Sequence, residues 1–300
     1  MRMVSRTLTI EVEAAAHRDA QPIDSVRHPV ARRIADVLRN RSDKPRVIVI
    51  DAENIAQAAS SGIRLDSLYG THSAVSDLAS LMQVAGDMPH HILEDRVAGE
   101  LFGDQKRFRV FALARAPRTP LLADLRETSG DLVVLDGVRL VGNIGAIARM
   151  ACALGAAGMI LLDSGLRTTY DRRLIRASRG LVFSIPIVLA ERMECIEFLR
   201  HERVSVATLS ADAESPLHAI RSVTNRLAVV LGGERDGVSK DLSSLAHHHY
   251  SISMAPEVES LNVSVTAGIA LYEHGAGSEA TRSDTSCLRA NASAARTENG

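Results

Sequence analysis

The chain repeats one pattern over most of its length: a short unbroken run of aliphatic residues, followed by a stretch with helical periodicity. The runs RVIVID (46–51), LVVLD (132–136) and MILLD (159–163) are examples. Continuous aliphatic runs are typical of parallel strands that are buried on both faces, and parallel strands need long crossover connections, usually helices. The pattern therefore predicts an α/β fold in which helices cover a mostly parallel sheet.

The composition is that of a globular chain with an aliphatic core. Hydrophobic residues make up 46% of the 300 residues, aromatic residues make up 3%, and tryptophan is absent. A chain of this length has room for about two domains. The 35 basic and 36 acidic residues give a net charge of −1, so the total charge neither requires nor excludes a nucleic-acid partner.

Several classes of protein are excluded by what the sequence lacks. No apolar run approaches the ~18–20 residues that span a bilayer, and charges interrupt the mildly apolar amino-terminal stretch, unlike a secretory signal. Cys152, Cys195 and Cys287 are too widely spaced for a disulfide framework or a metal knuckle. We therefore expect a soluble cytoplasmic protein.

Two prolines in the segment 116–120 interrupt the alternating pattern and mark a boundary. We predict a mobile arm (1–24), a smaller α/β domain (25–116), a linker (117–129), a second α/β domain (130–274) and a disordered tail (275–300). In the second domain we predict strands at Leu132–Asp136, Met159–Asp163, Val182–Val188, Val204–Leu209, Leu227–Leu231 and Tyr250–Met254, and helices at Ile144–Leu154, Arg172–Ala177, Arg192–Arg203 and Asn262–His274.

The usual nucleotide-binding motifs fail. The turn after the strand 132–136 does not have the glycine spacing of a dinucleotide fingerprint. Gly232 and Gly237 have the glycine spacing of a P-loop, but Val238 stands where that motif needs lysine. A nicotinamide-dependent dehydrogenase is therefore disfavoured.

Three polar segments remain, each at a strand end or a helix start: 143–149, 231–237 and 259–265, the last with Ser260 predicted as a helix N-cap. Any one of them could be an ordinary turn between a strand and a helix. Together in one parallel sheet they indicate a binding site, because such sheets bind ligands at the carboxyl ends of their strands.

In order and spacing, these segments resemble the three motifs of the SpoU class of SPOUT methyltransferases, which are trefoil-knotted RNA 2′-O-ribose methylases. The resemblance covers residues ~130–274. The segments VLDGVRLVGNIGAIAR, DRRLIRASRG and ESLNVSVTAGIALYEH look like the thiostrepton and nosiheptide-resistance methyltransferases. Those enzymes carry an additional amino-terminal RNA-binding α/β domain that resembles a ribosomal-protein fold.

The resemblance implies a knotted S-adenosylmethionine pocket, a homodimer and no metal. The residues it assigns to the cofactor are Arg149, Arg179, Leu209, Gly232, Ile252, Ser260 and Leu261. The residues it assigns to catalysis are Arg149, Asn143, Glu234 and Asn262. In this reading the Arg149 guanidinium grips phosphate and the attacking 2′-oxygen, since arginine remains protonated. The identity of the general base stays open.

The basic residues point to RNA as the partner. They gather at 31–46, 105–118 and 166–180, and such clusters meet phosphates on a nucleic acid. In the first domain we predict RNA contacts from Arg39, Arg41, Lys106 and Arg107, with Phe102 stacking on an unpaired base. The three consecutive histidines 247–249 alternate between strand faces and cannot all bind one metal ion.

The resemblance implies 2′-O-methylation of an adenosine in the GTPase-associated loop of 23S rRNA, where thiopeptide antibiotics bind, and hence resistance to those antibiotics. Two alternatives stay open. The first keeps the chemistry but places it on another rRNA or tRNA ribose. The second is a non-catalytic RNA-binding protein, which the presence of Asn143, Arg149, Glu234 and Asn262 disfavours.

Overall fold

The computed structural model describes residues 22–40, 42–85, 88–103, 106–126 and 128–277. The chain divides into two compact units that meet in sequence between Pro117 and Arg118. The predicted mobile arm up to residue 21 and the predicted tail from residue 278 lie outside the described residues.

The first unit is a four-stranded sheet between helices. Its elements are α1 (Pro29–Arg39), β1 (Val47–Asp51), α2 (Ala52–Ser60), β2 (Leu65–Thr71), α3 (Val75–Ala85), β3 (His90–Leu93), α4 (Asp95–Phe102) and β4 (Val110–Arg115). The strand order is β1-β4-β2-β3, with β4 antiparallel to both of its neighbours and β2 parallel to β3. Ile23 pairs with Leu93 and is buried, so the chain joins this unit before residue 25.

The second unit contains a seven-stranded parallel sheet. Its strands are β5 (Leu132–Asp136), β6 (Gly158–Leu162), β7 (Ile187–Leu189), β8 (Ser205–Leu209), β9 (Ser215–Pro216), β10 (Leu227–Gly232) and β11 (His248–Ser251), and its helices are α5 (Val141–Ala153), α6 (Arg172–Ala177), α7 (Arg192–His201), α8 (Lys240–Leu245) and α9 (Val263–Gly277). The strand order is β7-β6-β5-β10-β8-β11-β9, and all neighbouring strands in it pair in parallel. The parallel α/β fold predicted from the aliphatic runs is confirmed.

The sheet order explains why the central runs are so apolar. Strand β5 lies between β6 and β10, and residues 132–135 have no solvent exposure. The adjacent segment 117–129 was predicted to be a linker, but its Leu125 is also buried against this core. Burial of these aliphatic side chains contributes about 25 cal/mol per Å² of apolar surface, so this layer is the main source of the unit's stability.

The structure differs from the predicted elements in several places. Strand β11 covers His248–Ser251 rather than the predicted Tyr250–Met254, and the two-residue strand β9 was not predicted. Residues 181–183 form a 3₁₀ turn, and strand β7 begins only at Ile187, after Pro186. Proline cannot donate a ladder hydrogen bond, so the strand is shorter than the aliphatic pattern of 182–188 indicates. Helix α8, which begins after Ser239, was not predicted.

Helix α5 approaches the end of α6 closely because Gly145 of α5 has no side chain at the contact. A Cβ atom on Gly145 of α5 would overlap Ala177 and the backbone at Ser178, at the end of α6. The glycine therefore permits the close approach of α5 to the turn 177–180, which brings two arginine-bearing segments of the sequence together. Within the described residues, no helix combines the length and apolar character needed to cross a membrane.

Candidate active site

An open cleft lies at the carboxyl ends of β8, β10 and β11 in the second unit. It encloses about 810 Å³, including its open mouth. Five residues predicted to bind the cofactor line this cleft, and they come from four separate segments of the chain: Leu209, Gly232, Ile252, Ser260 and Leu261. The structure thus brings together side chains that are up to 52 residues apart in sequence, as expected for the edge of a parallel sheet.

The cleft wall combines apolar side chains with closely packed backbone. Leu209, Leu231, Ile252 and Leu261 supply apolar surface, and the segment 232–238 supplies main chain. A Cβ atom on Gly232 would overlap the backbone of Gly237 and Val238, so only glycine fits there. Apolar walls with a few backbone polar groups suit an adenosine moiety, whose ring is apolar on its faces and polar at its edge.

The three polar segments are joined by a chain of hydrogen bonds. The Asn143 side-chain amide donates to Glu234 Oε1 at 2.6 Å, and the Asn262 amide donates to Asn143 Oδ1 at 3.3 Å. Asn262 Oδ1 in turn accepts from the backbone N–H of Ser264 at 2.8 Å. Asn143 therefore contacts both other segments, and the four side chains fix the amide orientations of one another.

The same contacts correct the predicted N-cap of the last helix. Helix α9 begins at Val263, and its first turn is capped by Asn262, whose side chain accepts from Ser264. Ser260, predicted as the N-cap, lies two residues earlier and lines the cleft instead. The prediction was wrong because Ser and Asn are both good caps, and the helical period at this end does not tell them apart.

The two arginines assigned to the site are placed next to it rather than in the cleft. Arg149 is exposed on α5, the helix that carries Asn143, and it forms no ion pair with any residue that the structure describes. Arg179 is exposed in the turn after α6 and has a left-handed backbone, with φ of 54°, followed by Gly180 with φ of 77°. Non-glycine residues rarely adopt this conformation, and such strain is found preferentially at functional sites.

The structure contradicts the role predicted for Phe102. Its side chain is only 7% exposed, stacks on Phe108 with ring centroids 4.5 Å apart, and meets Phe111 edge-on. A ring packed on both sides by other aromatic rings cannot stack on an RNA base. In the sequence this phenylalanine lies beside a basic cluster, but in the structure its side chain is part of the hydrophobic core of the first unit.

The first unit carries an open basic groove between α1 and the start of β1. Four cationic side chains line it, against the single acid Asp36: Arg32, Arg33, Lys44 and Arg46. Arg33 pairs with Asp66 at 3.5 Å, but Arg32, Lys44 and Arg46 have no ion pair with a described residue. Arg39 is exposed at the end of α1, whereas Arg41 and the side chains of Lys106 and Arg107 lie outside what the structure describes.

Sequence reasoning missed three residues that hold the site together. Asp136, at the end of β5, is bound by Arg192 and by the backbone of Ser239. Its only sequence signal was a carboxylate at the end of an aliphatic run, the position where parallel sheets build their sites.

Within the described residues no group of three or more histidine, cysteine or acidic side chains is arranged to hold a metal ion.

Two family models match the chain, one over each unit. The description "Thiostrepton-resistance methylase, N terminus" matches residues 20–128, and "SpoU rRNA Methylase family" matches residues 131–272. Among solved structures, the AdoMet-bound rRNA methyltransferase from Sinorhizobium meliloti is similar, with a TM-score of 0.68 and 24% identity over 85% of this chain and 97% of that one. The SpoU methyltransferase AviRb from Streptomyces viridochromogenes, with AdoMet, has a TM-score of 0.70 and 22% identity over 83% and 98%. These likenesses show the fold.

Curated relatives are similar over most of the chain. A 23S rRNA (adenosine(1067)-2′-O)-methyltransferase from Streptomyces laurentii is 42% identical over 81% of this chain and 91% of its own length. The enzyme of the same name from Streptomyces azureus is 38% identical over 82% and 92%. A 23S rRNA (guanosine-2′-O-)-methyltransferase from Xylella fastidiosa matches at 33% identity over 51% of this chain. The chain belongs to the SpoU rRNA methylase family, in the branch that carries the amino-terminal domain of the thiostrepton-resistance methylases.

Proposed function

We propose that this protein is an S-adenosylmethionine-dependent methyltransferase that modifies the ribose 2′-oxygen of an adenosine in the thiopeptide-binding loop of 23S rRNA. The relatives that match over both units bear the name of that activity. The observation that carries the proposal is the hydrogen-bonded set Glu234, Asn143, Asn262 and Ser264 beside the cleft. Methylation at this site would confer resistance to thiopeptides and would place the protein in the cytoplasm with the ribosome.

The cleft residues fit the methyl donor. The aliphatic side chains of Leu209, Ile252 and Leu261 would hold the adenine ring, while the backbone at Gly232 and the hydroxyl of Ser260 are placed to meet its polar edge or the ribose. When bound, S-adenosylmethionine supplies a sulfonium methyl group that an oxygen nucleophile can displace. The chemistry needs no metal ion.

The protein's own part in the reaction is to orient the ribose and to stabilise charge. The Arg149 guanidinium, exposed and unpaired among the described residues, would contact the target phosphate and the 2′-oxygen as negative charge develops. Asn143, held by Glu234 and Asn262, would position the ribose from the same helix. The strained Arg179 turn, packed against α5 at Gly145, would bring a second cation near the cofactor and the RNA.

A homodimer and a knotted backbone complete the proposal. Three large apolar side chains are exposed on α5 and α9, at 39% for Leu154, 47% for Val265 and 56% for Tyr272. A two-fold contact of these helices would bury them and would complete each site with the partner protomer. The knotted backbone is part of the proposal because the SpoU rRNA methylase model matches this unit and the family resemblance implies the knot.

The dimer is tested by charge insertion in this surface. Tyr272→Glu should shift the protein from dimer to monomer in sedimentation velocity, since a buried unpaired carboxylate opposes association. Met193→Glu is the matched control, because Met193 is an apolar side chain of similar exposure, 55%, that lies on α7 rather than on α5 or α9. A wild-type monomer, or a Tyr272→Glu dimer of unchanged affinity, would contradict the proposed interface.

The first unit is proposed to select the RNA, with the basic groove as its phosphate-binding surface. Replacing Arg32 and Arg46 together by glutamine should weaken binding of the rRNA fragment. It should also make the negative slope of log K against log salt shallower, by about 1–2. Arg200→Gln, at an exposed arginine of α7, is the control. An unchanged slope would move the RNA-binding surface elsewhere, toward Arg39, Arg41, Lys106 and Arg107.

The decisive experiment is to map the modified nucleotide. Purified protein, S-adenosylmethionine and a 23S rRNA fragment containing the loop should give one alkali-resistant position, at the adenosine. A relative named for guanosine, which matches over 51% of this chain, favours one alternative: the same chemistry on another ribose. Modification at another nucleotide would establish that alternative, and RNA binding without methyl transfer would establish a non-catalytic protein.

A further inference from the structure

A buried carboxylate lies directly beneath the cleft and contacts two parts of its wall. Asp136 is the last residue of β5, and its side chain is 2% exposed. Its neighbours across the sheet are Leu162 on β6 and Gly232 on β10. The backbone then continues from Gly232 into the segment 232–239, hereafter the 232–239 loop, which forms one wall of the cleft.

Asp136 binds this loop near both of its ends. At the beginning, the backbone N–H of Gly233 donates to the main-chain oxygen of Asp136 at 2.9 Å. At the end, the backbone N–H of Ser239 donates to Asp136 Oδ2 at 2.8 Å. A loop that is fixed at both ends by one residue has far fewer accessible conformations than a loop fixed at one end.

The position of the loop decides the shape of the site. Glu234, in the loop, lines the cleft and accepts the hydrogen bond from Asn143. The backbone of Gly237 passes so close to Gly232 that no side chain fits between them. A small outward movement at Ser239 would therefore open the narrow part of the cleft and draw Glu234 away from Asn143.

Arg192 orients the carboxylate. Its guanidinium donates to Asp136 Oδ1 from Nη2 at 2.9 Å and from Nε at 3.2 Å, leaving Oδ2 for Ser239. The hydrogen bond that Arg192 donates to Asp136 raises the pKa of Arg192 above its ordinary value. A buried carboxylate needs such a partner, because an unpaired charge is strongly unfavourable away from water.

We infer that Asp136 is a positioning residue for methyl transfer: its carboxylate, oriented by Arg192, holds the 232–239 loop in the conformation that binds S-adenosylmethionine. The inference rests on the proposed function, because it assigns the cleft to that cofactor. Asp136 does not touch the cleft and acts only through the loop.

The test is cofactor binding by Asp136→Asn in the full chain without RNA. Asparagine has the same shape but only one acceptor oxygen, so either Ser239 or Arg192 loses its partner. We expect the Kd for S-adenosylmethionine, measured by calorimetry, to rise by about tenfold or more, as for the loss of a hydrogen bond to a charged group. Hydrogen exchange should accelerate in the 232–239 loop and stay unchanged in β6.

Asp163→Asn is the matched control. Asp163 lies just beyond the end of the neighbouring strand β6 and pairs with Arg139 at 2.6 Å, but that pair is exposed, and the charge of Asp163 acts on Arg192 more weakly than that of Asp136 does. Its left-handed backbone, with φ of 49°, is one that asparagine tolerates. This variant should bind the cofactor with a Kd within about twofold of wild type.

Arg192→Gln keeps the inference testable if Asp136→Asn does not fold, since Arg192 is partly exposed. It should weaken cofactor binding less than Asp136→Asn, and Arg192→Lys should recover part of the loss. Wild-type affinity in Asp136→Asn, or exchange that accelerates equally in β6, would overturn the positioning role. Failure of the wild-type protein to bind S-adenosylmethionine would instead overturn the proposed function.

Discussion

One prediction concerns a buried histidine that fastens the last helix to the sheet. His274 of α9 is 8% exposed, and both ring nitrogens face acceptors: Nδ1 contacts Asp131 Oδ2 at 2.5 Å, and Nε2 contacts the main-chain oxygen of Val223 at 2.9 Å. Two acceptors require two N–H donors, so the ring is an imidazolium. Asp131 also accepts from the backbone N–H of Leu227 and thereby joins β5, β10 and α9.

Replacing this side chain by phenylalanine keeps a ring of similar shape and removes both donors. The hydrogen bond to the carboxylate is worth about 1.5–3 kcal/mol and the one to the carbonyl about 0.5–1.5 kcal/mol. Asp131 keeps its bond from Leu227, and the phenyl ring adds apolar burial. We therefore expect His274→Phe to lower the free energy of opening of this region by about 2–4 kcal/mol.

The destabilisation caused by His274→Phe should be larger at acidic pH than at alkaline pH. The hydrogen bond to Asp131 raises the pKa of His274 above its ordinary value of 6.5, although burial opposes the shift. A raised pKa in the folded state gives stability that is fully present below about pH 6.5 and is lost as pH rises through the folded-state pKa. The difference between wild type and His274→Phe should therefore be largest on the acid side of neutrality and smaller at alkaline pH.

The measurement is native-state hydrogen exchange of peptides covering β5 and α9, at about pH 5.5 and about pH 8.5. Exchange gives the free energy of opening of this region and does not assume that the two units unfold together. His201→Phe is the control: His201 also contacts a carboxylate, that of Glu202 at 2.8 Å, but it is 75% exposed, so its loss should have little effect. A destabilisation that does not change with pH would refute the imidazolium assignment. A loss of less than about 1 kcal/mol would refute the estimate of the two hydrogen bonds.

Two further predictions concern the site. Arg149→Ala should fold and keep much of its RNA affinity, but its rate of methyl transfer in single-turnover assays at saturating RNA and cofactor should fall by orders of magnitude. The reason is that the arginine contact forms mainly as charge develops on the 2′-oxygen. A rate near wild type would remove Arg149 from the mechanism. Gly232→Ala should abolish S-adenosylmethionine binding in calorimetry, since its methyl group would overlap the backbone of Gly237, whereas Gly142→Ala, where a Cβ meets no atom within 4 Å, should bind normally. Normal binding by Gly232→Ala would show that the cleft is looser than its backbone contacts indicate.

Local pattern alone was enough to predict most of the second unit's elements. Strand β5 has the predicted bounds 132–136, because a continuous aliphatic run is a local signal that survives in the fold. The polar segments at strand ends could likewise be identified as one site, since parallel strands bring their carboxyl ends to one edge. The family resemblance assigned Leu209, Gly232 and Leu261 to the cofactor, and the structure brings them to one cleft.

Errors arose where a residue had two local interpretations. Phe102 lies beside a basic cluster and could equally contact RNA or fill a core, and only the positions of Phe108 and Phe111 decide for the core. The antiparallel β4 in the middle of the first sheet is similar, because an aliphatic run has no direction of its own.

The sequence by itself determined the α/β class, the aliphatic strands and the three polar segments, because each depends on residues that are close together in the chain. Only the tertiary structure decided the strand order, the hydrogen bonds among Asn143, Glu234 and Asn262, and the attachment of the 232–239 loop to Asp136. The bond from Ser239 to Asp136 spans 103 residues. Contacts over such separations leave no periodic signal in one sequence, since their partners are chosen by the packing of the sheet.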